Sequence, residues 1–91
     1  MKPKERFELY ASLNLTTYHY KVIFLLMSKE LTQSQIATIL NAKKQNIYSV
    51  CRDLKSMDII QEYSRIGNNI YLTLNPQPQV QLKGQMNLLK N

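Results

Sequence analysis

Apolar positions recur at helical spacing through the first two thirds of this chain, then crowd into two short dense runs, with polar breaks between the segments. Over about Pro3 to Ser12, Phe7, Tyr10 and Ala11 fall at i, i+3 and i+4, which predicts an amphipathic helix packed through those residues. Pro3 is suited to begin that helix, and Asn14 to Thr17 interrupt it. A second helix is predicted over about Thr17 to Lys29. Tyr20, Ile23, Phe24 and Met27 share its apolar face, and Leu25 and Leu26 widen it, as expected of a core helix.

The third helix has the clearest start. Thr32 and Gln35 have the Thr-x-x-Gln spacing of a capping box, and Leu31 and Ile36 are placed to close a hydrophobic staple around it. It is expected to run to about Leu40 and to bury Ile36, Ala37 and Leu40. The link Asn41-Ala42-Lys43 is short enough for a helix-turn-helix. A fourth helix follows over about 44–57, with Ile47, Val50, Cys51 and Leu54 on one inward stripe. At about 100° per residue, Gln45, Ser49, Arg52 and Ser56 point away from that stripe, flanked by Asn46 and Tyr48.

Ile59 to Tyr63 and Ile70 to Leu74 are rich in β-branched and apolar residues and are separated by six residues that include Gly67 and two Asn. They predict a hairpin with a loose loop over 64–69. Asn75-Pro76-Gln77-Pro78 ends the second strand. The chain therefore divides into an N-terminal helix (1–15), a compact helical unit ending in a β-hairpin (16–76), and a tail (77–91).

With 91 residues there is room for one modest core and for no separate catalytic domain. Twelve Lys and Arg against six Asp and Glu give a net charge of +6, which favours a polyanionic partner. One cysteine cannot form an internal disulfide or a thiolate zinc site, and it lies on the core stripe, where a small apolar role is expected. His19 is the only histidine and is expected to be structural or on the surface. The apolar run 22–27 is far below the ~20 residues of a membrane span, and no signal-peptide core is visible, so a cytoplasmic protein is expected. There is no glycine-rich phosphate loop, no metal-ligand cluster and no nucleophile with a base partner, so neither catalysis nor a cofactor is expected.

The polar face of the fourth helix has the chemistry to read nucleic-acid bases. Arg52 offers a bidentate donor pair to guanine, Gln45 or Asn46 can bridge adenine, Ser49 donates or accepts, and Tyr48 can meet a phosphate or a thymine methyl. Lys43 and Lys44 lie at the positive end of the helix dipole, where free backbone N–H groups also favour phosphate. In the hairpin loop, Arg65 is suited to a minor groove or a phosphate, with Ser64, Asn68 and Asn69 beside it.

The segments Leu31-Thr32-Gln33-Ser34-Gln35-Ile36-Ala37, Asn41-Ala42-Lys43-Lys44-Gln45-Asn46-Ile47 and Leu54-Lys55-Ser56-Met57-Asp58-Ile59-Ile60 resemble small bacterial winged helix-turn-helix proteins, including the MarR-like DNA-binding core, over roughly half the chain. The resemblance implies a mainly α, α+β fold: a three-helix core, an N-terminal helix and a β-hairpin wing. It also implies that Lys44, Gln45, Asn46, Tyr48, Ser49 and Arg52 face double-stranded DNA, with Arg65 on the wing. Two positions depart from the pattern. Lys43 replaces the usual Ser or Thr cap, and Asp58 replaces the glycine that usually ends the helix, which requires the aspartate to enter the left-handed conformation.

These readings point to sequence-specific DNA binding by a small transcription regulator or a plasmid or mobile-element accessory factor. An accessory role at an origin of transfer or replication is an alternative, suggested by abundant Asn, Gln, Lys and Ile. An interaction adaptor using the same face to hold a protein is the competing reading. Phe7 and Tyr10 in the first helix, with Val80, Leu82, Met86, Leu88 and Leu89 in the tail, are candidates for a homodimer contact. A symmetric dimer would space two recognition helices about 34 Å apart and read an inverted repeat.

Overall fold

A computed structural model describes residues 3–76. Four helices, α1 (Pro3–Ser12), α2 (Thr17–Ser28), α3 (Gln33–Leu40) and α4 (Lys44–Ser56), precede two antiparallel strands, β1 (Ile60–Ile66) and β2 (Asn69–Leu74). The homodimer residues proposed in the tail lie outside the described residues.

Local chemistry sets the helix boundaries. In α3 both halves of the capping box form: the Gln35 N–H donates to Thr32 Oγ1 at 3.1 Å and the Thr32 N–H donates to Gln35 Oε1 at 3.0 Å. Thr32→Ala removes an acceptor that the first turn needs. The expected cost is about 0.5–2 kcal/mol of stability, read from a denaturant melt. The helices α3 and α4 then end by the same device. Asn41 (φ 51°) and Asp58 (φ 62°) turn left-handed. The next N–H reaches back to the helix, from Ala42 to the Ala37 carbonyl and from Ile59 to the Leu54 carbonyl, each at 2.9 Å. Asp58 thus performs the turn expected of a glycine there. Lys43 caps α4 only with its carbonyl, as its side chain makes no cap bond.

One core joins the elements: Val22, Ile23 and Leu26 from α2, Ile36 and Ala37 from α3, the predicted stripe Ile47, Val50, Cys51 and Leu54 from α4, and Ile59, Ile60, Leu72 and Leu74 from the hairpin. α1 adds Leu9 and Tyr10, and Leu13 follows just beyond its end, so its packed face is rotated from the expected Phe7–Tyr10–Ala11 face and leaves Phe7 and Ala11 exposed. α2 is rotated likewise. His19, Val22, Ile23 and Leu26 turn inward, and Phe24 and Met27 face outward. Tyr20 ties the first two helices together by donating its hydroxyl to the Tyr10 carbonyl at 2.9 Å.

His19 fixes the roll of α2. Its Nδ1 bonds to Thr16 Oγ1, and its Nε2 lies 3.1 Å from Asp53 Oδ2 on α4. The ring is a structural brace between two core helices, as a histidine without neighbouring ligands should be. Burial raises the Tyr10 hydroxyl pKa against the opposing pull of Arg6, and that hydroxyl has no hydrogen-bond partner among the described residues.

Cys51 is fully buried, and desolvation pushes its thiol from 9.0 up to about 11, only partly offset by the Lys55 charge. The unfolded chain ionises its thiol first. Cys51 therefore adds stability below pH 9, and that stability is lost as pH rises towards 11. Native protein is expected to resist iodoacetamide at pH 8 and to react once denatured. Rapid alkylation of native protein at pH 8 would contradict this burial.

The hairpin is longer than expected. Arg65 pairs with Ile70 and Ile66 with Asn69, so only Gly67 and Asn68 connect the strands. Gly67 has φ 61° at the first of these two positions, where tight hairpins demand glycine. Leu31 adds a third short rung, since its N–H and carbonyl both bond Leu72, at 3.2 and 2.8 Å.

Candidate nucleic-acid interface

The inward stripe of α4 leaves its opposite face in water. Lys43, Lys44, Gln45, Asn46, Tyr48 and Arg52 are exposed, and Ser49 is half-buried beside them. The Arg52 side chain is two-thirds exposed on this face. Its guanidinium approaches Ser49 Oγ at 3.5 Å and Asp53 Oδ1 at 4.0 Å, contacts too long and too wet to immobilise it.

Two adjoining clefts border the face. One, of about 290 Å³, runs between the start of α3 (Thr32, Gln33, Ser34), Tyr48 and Lys55 of α4, and Asn68, Asn69 and Ile70 of the hairpin. The other, of about 300 Å³, lies between Gln33 and Ser34 and the first turns of α4 at Lys44, Gln45 and Tyr48. Tyr48, Gln33 and Ser34 line both. The structure thus places Lys44, Gln45 and Tyr48 around one cleft and Tyr48 and Asn68 around its neighbour. Lys43, Asn46, Ser49 and Arg52 continue along the helix outside both, and Arg65 stands at the hairpin end.

Sequence reasoning passed over Gln33, Ser34, Lys55 and Glu62. Lys55 was within reach of it, since Tyr48, Arg52 and Lys55 are four and three residues apart and so share a helix face. Gln33 and Ser34 follow the Thr32 cap and therefore open α3. Glu62 carried no such signal. It is the acid of the face, with Oε2 3.8 Å from Lys55 Nζ and Oε1 3.8 Å from Arg65 Nη2. Glu62 and Arg65 are exposed and Lys55 is half-buried at the edge of the helix, so each pair contributes about 0–1 kcal/mol to stability.

Among the described residues no cluster of His, Cys, Asp or Glu is arranged to hold a metal, and no helix is long and apolar enough to cross a membrane.

No protein-family model and no curated protein matches this sequence. Solved structures do match its fold. Adhesin competence repressor (AdcR) from Streptococcus pyogenes superposes with a TM-score of 0.66 at 17% identity, covering 80% of this chain and 56% of that one. ZitR from Lactococcus lactis gives 0.64 at 18% identity, covering 87% and 51%. NMB1585, a MarR family regulator from Neisseria meningitidis, gives 0.61 at 19% identity, covering 76% and 51%. The fold is therefore a MarR-like winged helix, in which α3 and α4 form the helix-turn-helix and the hairpin is the wing. The chain spans about half the length of these solved chains.

Proposed function

We propose that this chain binds double-stranded DNA sequence-specifically and without catalysis, as a small transcription regulator. α4 enters the major groove, and the wing meets the backbone or minor groove. The observation that carries this reading is the division of α4. Its apolar stripe is wholly committed to the core, while Lys43, Lys44, Gln45, Asn46, Tyr48, Ser49 and Arg52 are displayed on the other side with no structural duty of their own. That set can both grip phosphates and read base edges. The net charge of +6 agrees, as do the structural neighbours that are a repressor and a MarR family regulator.

In this reading residues 16–76 are the DNA-binding unit, and Arg65 and Asn68 are its wing contacts. Residues 1–15 and the tail 77–91 serve a homodimer. Phe7, Phe24 and Met27 support that pairing, because three large apolar side chains on α1 and α2 remain exposed in the single chain. Service at a plasmid origin of transfer or replication rests on the same DNA contacts, and site symmetry distinguishes it. A dimeric repressor reads an inverted repeat, whereas monomers arrayed at an origin read direct repeats.

A salt titration of duplex binding tests the reading. If Lys43, Lys44, Arg52 and Arg65 each neutralise one phosphate, the logarithmic slope is near −3.6. Affinity then falls about 100-fold between about 50 and about 200 mM salt. A salt-insensitive interaction would instead favour the adaptor reading, in which the same face holds a protein through apolar contact.

A further inference from the structure

An irregularity in β1 decides where the wing points its charges. Glu62 is paired with Leu72 and Ser64 with Tyr71, so Tyr63 is an extra residue opposite no partner. In a regular strand, residues 62 and 65 would lie on opposite faces, three steps apart. The bulge removes that alternation and brings Glu62 and Arg65 to one face, opposite Leu72 and Ile70 respectively. This is the face turned to α4, because Leu72 and Ile70 line the same cleft as Tyr48 and Lys55. The Glu62 carboxylate thereby divides its two oxygens between a cation of the recognition helix and the cation of the wing, each at 3.8 Å.

Such exposed pairs do little for folding, so their consequence lies in what they occupy. We infer that Glu62 restrains DNA binding: its negative charge lies beside Lys55 and Arg65 and offsets the attraction of both cations for phosphate, and they turn away from it when they meet DNA. This rests on the DNA-binding reading above. By masking two cations, Glu62 suppresses the sequence-independent, phosphate-led part of the affinity. Base reading then depends on the α4 residues that it does not touch, Gln45, Asn46, Ser49 and Arg52. Replacing the carboxylate by an amide of the same shape leaves the wing in place and frees both cations.

The test compares Glu62→Gln with Glu8→Gln, an equal change of charge at an exposed site on α1. Random-sequence duplex and heparin, a polyanion without bases, serve as probes. The expected result is that Glu62→Gln binds random duplex about tenfold more tightly at low salt, steepens the salt slope by about 0.9 as Lys55 joins the phosphate contacts, and elutes later from heparin than Glu8→Gln. In a Lys55→Ala/Arg65→Ala background the gain should vanish, because there is nothing left to release. Equal behaviour of the two glutamine variants would overturn the inference while leaving the DNA-binding reading intact, provided the parent binds duplex. Weaker binding by Glu62→Gln would overturn it too and would make Glu62 a brace of the wing. If the parent binds no duplex, yet only Glu62→Gln gains heparin retention and loses it in the double-alanine background, the masking stands and the DNA reading fails.

Discussion

Leu54→Ala is expected to cost about 2–5 kcal/mol of folding stability, as much as the loss of any aliphatic side chain in this core. Leu54 is fully buried at the inner end of the α4 stripe, where its side chain belongs to the core shared by α2, α3 and the hairpin, and its carbonyl accepts the Ile59 N–H that turns the chain into β1. Alanine keeps that backbone bond but leaves a void which the packed neighbours can only partly close. A domain of this size has about 5–15 kcal/mol in total, so the melting temperature should fall by roughly 10 °C or more. DNA binding by this variant should track the folded fraction. A melt within a degree or two of the parent's would mean that α4 is not anchored by this stripe.

Arg52→Ala is expected to act in the opposite way, with folding intact and affinity lost. The side chain is two-thirds exposed and makes only long contacts to Ser49 and Asp53, so the fold does not depend on it. If it reads a guanine through its paired donors, alanine costs about 1–3 kcal/mol on the preferred duplex and relaxes the preference at one base position. Lys44→Ala serves as the contrast. If it meets phosphate at the electropositive start of α4, as proposed, its loss weakens every sequence alike and flattens the salt slope by about 0.9. Competition titrations on preferred and random duplexes separate the two behaviours. Equal losses for Arg52→Ala on both duplexes would remove it from base reading and place it with the phosphate contacts.

The legible parts of this molecule were those whose signals are local. The Thr32–Gln35 box and the α4 stripe from Ile47 to Leu54 depend on residues within one helical turn or on one clear periodicity, while the left-handed turn at Asp58 was implied only by the resemblance to winged-helix proteins. The faces of α1 and α2 were not legible. In Val22 to Met27 every residue is apolar, so periodicity alone cannot select a face. The selection is made by His19 bonding Asp53 across 34 residues of sequence. The hairpin was read too short because polar Ser64, Arg65 and Asn69 flank Gly67 and Asn68 and look like one loop, yet the ladder runs on through Arg65–Ile70 and Ile66–Asn69. The bulge at Tyr63 has no local mark, and with it went the role of Glu62. The polar face of α4 could be derived from the sequence residue by residue, but the concavity shared by Tyr48, Gln33, Ser34 and the wing required the tertiary fold.

The measurement that bears most directly on the central claim is selection of bound duplexes from a random DNA pool, carried out at low and at physiological salt. The account predicts enrichment of a defined motif that survives at the higher salt while total binding falls steeply. An inverted repeat would identify a dimer and a direct repeat an array of monomers. Failure to enrich any sequence at either salt, with only weak and salt-labile retention, would contradict base reading by α4 and leave the interaction adaptor as the better account.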